Sequence, residues 1–306
     1  MSSKAKSPTI SSDFDLDLDD NSILNATAAP QGMAVQKVTS VDLGDFSDFE
    51  NGIEAITPQS EDFVKVLFYG PNGTGKTTIA GSFPDPIIFD INERGTRVLS
   101  TPDGRIKKRA VDEFEMLVQG FWYLKSGKHP FKTVILDNIT TLQEVAMRYI
   151  MNKEADFDLS KDLDMPTKRD WGGLSQVLKR WLIDFRNLPM NVVFIAQERR
   201  DKDEDIESDE ASVFPQVTPS VRGILGAAVD VIGRTYVTET LDPNTGKAKT
   251  KFCLRVAPGP KYLAKIRLPS GASTPNSLVN PRYESLVKIM NGGYQPKGEK
   301  VNEQQS

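Results

Sequence analysis

Residues 70–77 read Gly-Pro-Asn-Gly-Thr-Gly-Lys-Thr, directly after the run Val-Lys-Val-Leu-Phe-Tyr at 64–69. The spacing is that of a phosphate-cradling loop, G-x-x-x-x-G-K-[ST], with a strand before it and a helix after it as such a loop requires. Glycines at 70, 73 and 75 permit backbone angles that a Cβ would forbid. The stretch Gly70, Pro71, Asn72, Gly73, Thr74, Gly75, Lys76, Thr77 and Thr78 then wraps its amides around phosphate oxygens at a helix start. Lys76 places a cation on the β- and γ-phosphates, and the Thr77 hydroxyl joins the shell of a Mg²⁺ ion. The expected ligand is a nucleoside triphosphate, taken as ATP, with Mg²⁺.

The chain has 306 residues, a formal net charge of −4 and one cysteine, Cys253. A single thiol forms no internal disulfide and fits a reducing, cytoplasmic setting. No secretory-type leader or membrane-length apolar window is evident, so a soluble protein without membrane contact is expected. The charge is uneven. Residues 1–62 hold 12 acids and 3 lysines, whereas the rest holds 35 bases and 30 acids. A mildly basic body permits nucleic-acid binding without demanding it.

Residues 1–60 alternate acids with Phe and Leu, as in "DFDLDLDD", and show no helical or strand period. They are expected to form a disordered acidic tail. Such a tail stays solvated, docks a partner through its aromatic residues, or mimics nucleic-acid charge. A domain is expected over 61–292 and a polar tail over 293–306. Within the domain, apolar runs at 63–69, 85–91, 132–139 and 190–197 read as strands buried on both faces. Helical patterns fall at 76–82, 111–125, 139–152, 171–187 and 283–292, the clearest being 171–187 with Trp171, Leu174, Leu178, Trp181, Leu182 and Phe185. The alternation predicts an α/β fold with a mostly parallel sheet flanked by helices. Two runs flanking "LDPNTGKA" predict an antiparallel hairpin after about residue 228.

Three strand ends carry chemistry. "TVILDN" closes on Asp137, a carboxylate placed to reach the metal through water. Asn138 stands where many such ATPases carry a catalytic Glu, and an amide cannot take a proton. The base is therefore sought past the second strand, in "FDINERG", at Glu93, with Asp90 as competitor; that strand is expected beside the loop strand. "VVFIAQ" ends in Gln197, whose amide can donate to a γ-phosphate oxygen and report the nucleotide state. His129 is the only histidine, which argues against a Ser-His-Asp triad or a His-rich metal site.

Together these segments resemble the RecA-like P-loop ATPases, and more closely the phage-encoded Sak-type single-strand annealing and recombination group. The resemblance runs from about Phe63 to about Pro269. It is carried by "GPNGTGKTT", "FDINERG", "ILDNIT", "RDWGGL", "VVFIAQE" and "AKIRLP". It implies a Mg²⁺-dependent, DNA-stimulated ATPase that binds single-stranded DNA or a single-strand-binding protein and forms a homo-oligomer. It also implies that Lys265 and Arg267, in the Lys-x-Arg element, reach the triphosphate of a neighbouring subunit. One departure stands against DNA contact: residues 201–210 hold seven acids and one lysine, which repel phosphate. Arg199, Arg200 and Arg222 lie at its margins. Trp171 and Phe214 could stack on a base but suit a core better. The alternatives are a nucleotide-gated assembly protein without DNA contact and a small-molecule kinase.

Overall fold

The computed structural model describes residues 63–92, 95–99, 104–156, 160, 162–201, 212–241 and 248–295. The chain divides after Glu54 into two units, and every described residue belongs to the second. The expectations for 1–60 and for most of 293–306 and 201–210 lie outside the described residues, as does the hairpin tip at 242–247.

The elements in order are β1 (Lys65–Gly70), α1 (Lys76–Ala80), β2 (Pro86–Asp90), a 3₁₀ turn (Gly95–Leu99), β3 (Lys107–Ala110), α2 (Phe114–Lys125), β4 (Thr133–Asp137), α3 (Ile139–Ala155), α4 (Lys168–Arg186), β5 (Asn191–Asp201), β6 (Ser212–Pro215), α5 (Pro219–Ala228), β7 (Val231–Leu241), β8 (Ala248–Arg255), β9 (Lys265–Ile266), β10 (Ser277–Val279) and α6 (Tyr283–Met290). Among the described residues ten strands join in one sheet, ordered β10-β8-β7-β1-β5-β4-β2-β3, with β6 on β5 and β9 on β7. From β7 through β3 every neighbouring pair is parallel. The pairs β7–β8, β8–β10, β7–β9 and β5–β6 are antiparallel. The expected α/β architecture with antiparallel C-terminal strands is thus present, although β7 itself belongs to the parallel set.

Alternation along the strands builds two cores. Leu67, Tyr69, Phe89, Leu136, Phe194 and Ile232 pack beneath α2, α3, α4 and α5. Val66, Phe68, Ile88, Ile135, Val193 and Val231 pack beneath α1 and α6, against Ile79, Phe83 and Leu286. Both faces are covered, which is why these strands read as continuous apolar runs. The two longest of the described helices, α3 and α4, begin on side-chain caps. Thr167 and Asp170 close a capping box at α4, and Asn138 Oδ1 accepts from Thr141 N at 2.8 Å to start α3.

One expectation is corrected by the strand order. β2 does not lie beside β1; β5 and then β4 stand between them. The usual adjacency of consecutive strands fails because the chain leaves β1 through α1 on one face and later inserts β4 and β5 from the other. Four strand ends therefore line up as β1, β5, β4 and β2 at a spacing of about 4.8 Å per strand. Another correction concerns Trp171, expected in the core but 50% exposed.

Where α2 crosses β2 the packing is tight. A Cβ added to Gly120 would stand 2.6 Å from two ring carbons of the buried Phe89. Gly120→Ala is expected to cost about 1–3 kcal/mol through overpacking, read as a lower urea midpoint at unchanged slope. An unchanged midpoint would show that the ring can yield.

Candidate nucleotide site

The loop after β1 is held by its neighbours. Gly70 has φ 152°, and a Cβ there would fall 2.4 Å from both the carbonyl and hydroxyl oxygens of Thr235. Only glycine allows β1 and β7 to approach so closely at this point. Thr235 Oγ1 lies 2.6 Å from Thr74 Oγ1 and donates to Tyr69 O at 3.2 Å. Thr74 Oγ1 also lies 2.7 Å from Pro71 O. Gly75 takes φ 89° as the residue capping α1, and no side chain caps that helix start. Asn72, Gly73 and Thr78 are exposed, Pro71, Gly75 and Thr77 are half-buried, and Thr74 is buried.

Lys76 is 7% exposed. Its Nζ donates to Gly70 O and Pro71 O, both at 2.8 Å, and approaches Gln197 Oε1 at 3.4 Å. Thr77 Oγ1 donates to Asp137 Oδ2 at 2.8 Å. The residues expected to meet phosphate and metal are thus assembled across β1, β5 and β4. Parity explains it. Gly70, Gln197, Asp137 and Asp90 all continue the α1 face, in step with Phe68, Ile195, Ile135 and Ile88.

Gln197 N donates to Thr140 Oγ1 at 3.0 Å, tying β5 to the first turn of α3. Asn138 is fully buried, and its Nδ2 has no hydrogen-bond partner among the described residues. Its oxygen caps α3, so Asn138 here starts a helix. Asp90 is 4% exposed; it accepts from Thr96 Oγ1 at 3.3 Å and pairs with Lys108 at 3.6 Å. Glu93 lies outside the described residues, two positions beyond Ile91, whose N donates to Asp137 O at 2.7 Å.

Lys265 and Arg267 are not brought to the loop of their own chain. Lys265 pairs in register with Ile232, which pairs with Leu67, three residues or about 10 Å back from Gly70 along the strand direction. Lys265 Nζ donates to Gly226 O at 2.8 Å, Val229 O at 2.9 Å and Ala227 O at 3.4 Å. Arg267 donates to Asp230 Oδ1 at 2.9 Å and Ala227 O at 2.6 Å. Both satisfy carbonyls at the end of α5, where cations are favoured. Burial lowers the Lys265 pKa, and Arg267 adds to the effect.

Beside the acidic segment, Glu198 is held by Arg234 on one carboxylate oxygen (2.9 and 3.0 Å) and by Arg200 on the other (3.0 and 3.1 Å). Arg222 stacks over Phe214 at 3.7 Å. Sequence reasoning missed Thr235 and the pairing of Glu198 with Arg234, contacts that span 161 and 36 positions. It could have found the Asn138 cap, since Asn directly before a helical pattern is a known start signal.

A family model described as an AAA domain matches residues 62–268, about two thirds of the chain. The chain belongs to the AAA-domain family. Membership gives the chain a P-loop NTPase core. Replication factor C small subunit 2 of Pyrobaculum islandicum is 34% identical over 111 residues, 32% of this chain and 33% of that protein. Small subunit 1 of Pyrobaculum aerophilum is 34% identical over 111 residues, 32% of each chain. The chain therefore spans about a third of the length of these relatives. Among solved structures, the RadB recombinase aligns with TM-score 0.35 and 17% identity, covering 63% of this chain and 79% of that one.

The residues present fit a magnesium nucleotide. Thr77 and Asp137 converge on one point, and Lys76 rests on carbonyls of the very loop whose phosphates it would meet. Among the described residues no three His, Cys, Asp or Glu side chains cluster as a metal cage. Magnesium suits such a site, since it takes one or two protein oxygens and fills its shell with phosphate and water. Among the described residues no helix is long and apolar enough to cross a membrane.

Because Lys265 satisfies the end of α5, Lys265→Ala is expected to lower stability by about 1–2 kcal/mol, measured by urea unfolding. No loss would mean that water replaces the ammonium at those carbonyls without cost.

Proposed function

We propose that this chain is a Mg²⁺-dependent ATPase acting on DNA in recombination, single-strand annealing or replication, as the Sak-type resemblance implies. The observation that carries the reading is the convergence of Lys76, Gln197, Thr77 and Asp137 at three neighbouring strand ends. The name of the replication factor C relatives supports a DNA-linked role over the matched third of their length.

In this reading Lys76 transfers its hydrogen bonds from Gly70 and Pro71 to the β- and γ-phosphate oxygens. Thr77 and Asp137 hold the magnesium ion, which when bound neutralises phosphate charge and polarises the phosphoryl group. Glu93, three residues past the end of β2 at Asp90, takes the proton of the attacking water. Asp90, buried against Thr96 and Lys108, is less suited to that task. Gln197 senses the γ-phosphate and passes its state along β5 to Glu198 and Arg200. The Sak-type resemblance implies that Lys265 and Arg267 act in trans, reaching a neighbour's triphosphate in a homo-oligomer, which requires them to leave the α5 carbonyls they hold in their own chain.

A second reading, a nucleotide-gated assembly protein without DNA contact, is favoured by the seven acids in 201–210. The ATPase rate with and without single-stranded DNA separates the two. Stimulation is expected, and Lys76→Ala should abolish turnover; a rate indifferent to DNA would favour the second reading. Glu93→Gln is expected to retain nucleotide binding while kcat falls by about 10²–10⁴. Normal turnover in that variant would return the base to Asp90. Mixing Lys265→Ala or Arg267→Ala protein with Lys76→Ala protein should restore part of the activity, and failure in every mixture would argue against the trans role.

A further inference from the structure

Phe252 stands out on β8. Leu254 and Val256 share its face and are buried, yet Phe252 is 40% exposed, and so is Val237, directly opposite on β7, at 38%. The Phe252 backbone is paired on both edges. Phe252 N donates to Asn280 Oδ1 at 3.2 Å, and Asn280 N donates to Phe252 O at 2.6 Å. The backbone is thus held by β7 on one side and by Asn280, just past β10, on the other. The ring lies against the phosphate loop: a Cβ on Gly75 would stand 3.3 Å from Phe252 Cδ1.

Position gives this apolar pair a direction. In the ATPase reading Gln197 on β5 and Asp137 on β4 mark the γ-phosphate end of the site, to one side of β1. β7 and β8 lie on the other side of β1. A triphosphate whose terminal group faces β5 and β4 carries its ribose and base away from them, toward β7 and β8. The face there is the α1 face, the same one that bears the loop. We propose that Phe252, backed by Val237, is the stacking platform for the base of the bound nucleotide. This deepens the ATPase reading and rests on it.

A π-face accepts any base, so the platform selects for the presence and size of the base rather than its hydrogen-bonding edge. Purine triphosphates should bind alike and more tightly than pyrimidine ones. Removing an aromatic platform weakens binding by roughly tenfold or more.

The test is calorimetry on the full chain with magnesium, using a non-hydrolysable ATP analogue and, separately, inorganic tripolyphosphate. Phe252→Ala is expected to weaken the analogue by roughly tenfold and leave tripolyphosphate unchanged. Phe252→Trp should keep the affinity, with fluorescence that changes on adding the analogue but not tripolyphosphate. Unaltered analogue affinity in Phe252→Ala would overturn the proposal and leave Phe252 as a contact for another molecule. An equal loss for both ligands would also overturn it, because the ring would then act only by shaping the loop at Gly75. If the wild-type chain holds tripolyphosphate as tightly as the analogue, the platform fails while the phosphate site stands. If it holds neither, the nucleotide reading fails with it.

Discussion

At Gly70 the backbones of β1 and β7 come so close that a Cβ would fall 2.4 Å from two oxygens of Thr235. That approach lets the Thr235 hydroxyl reach Thr74 and fastens the phosphate loop to the sheet from the side away from β5. With the loop fixed there, α1 must start at Lys76, Thr77 must face β4, and Lys76 must lie over the strand ends. A preorganised loop of this kind costs little reorganisation when charge arrives, which is where such sites gain most of their effect.

The sheet then acts as a ruler. Four strand ends stand in a row, and side-chain parity turns one residue from each toward the α1 face: Gly70, Gln197, Asp137 and Asp90. Each differs in chemistry. The loop offers amides and one cation, Gln197 a neutral amide, and Asp137 a carboxylate already bonded to Thr77, whereas Asp90 is consumed by Thr96 and Lys108. The two cores above and below pack against the strands that carry this row.

Much of this was legible in advance, for physical reasons. β1, β2, β4 and β5 are buried on both faces and read as apolar runs; the loop motif has few meanings; α4 shows its apolar stripe. Other elements left no such mark. β3, with Lys107, Lys108, Arg109 and Ala110 all exposed, has no apolar alternation to find. α5 carries Gly223 and Gly226, which weaken any helical reading. Strand order escapes local pattern altogether, because the chain returns late to fill the two places between β1 and β2. Likewise the Thr74–Thr235 contact spans 161 positions, and nothing local announces it. Lys265 and Arg267 were expected at a neighbour's nucleotide; in their own chain they close the end of α5, a duty that motif comparison does not reveal.

The most direct check is crystallographic: the distances from Lys76 Nζ in crystals grown with magnesium and a non-hydrolysable ATP analogue. The expected result is Nζ gone from Gly70 O and Pro71 O and bonded to β- and γ-phosphate oxygens, with the metal beside Thr77 and Asp137. Lys76 still on its own loop, with the analogue elsewhere or absent at saturating concentration, would contradict the central claim that this loop grips a triphosphate.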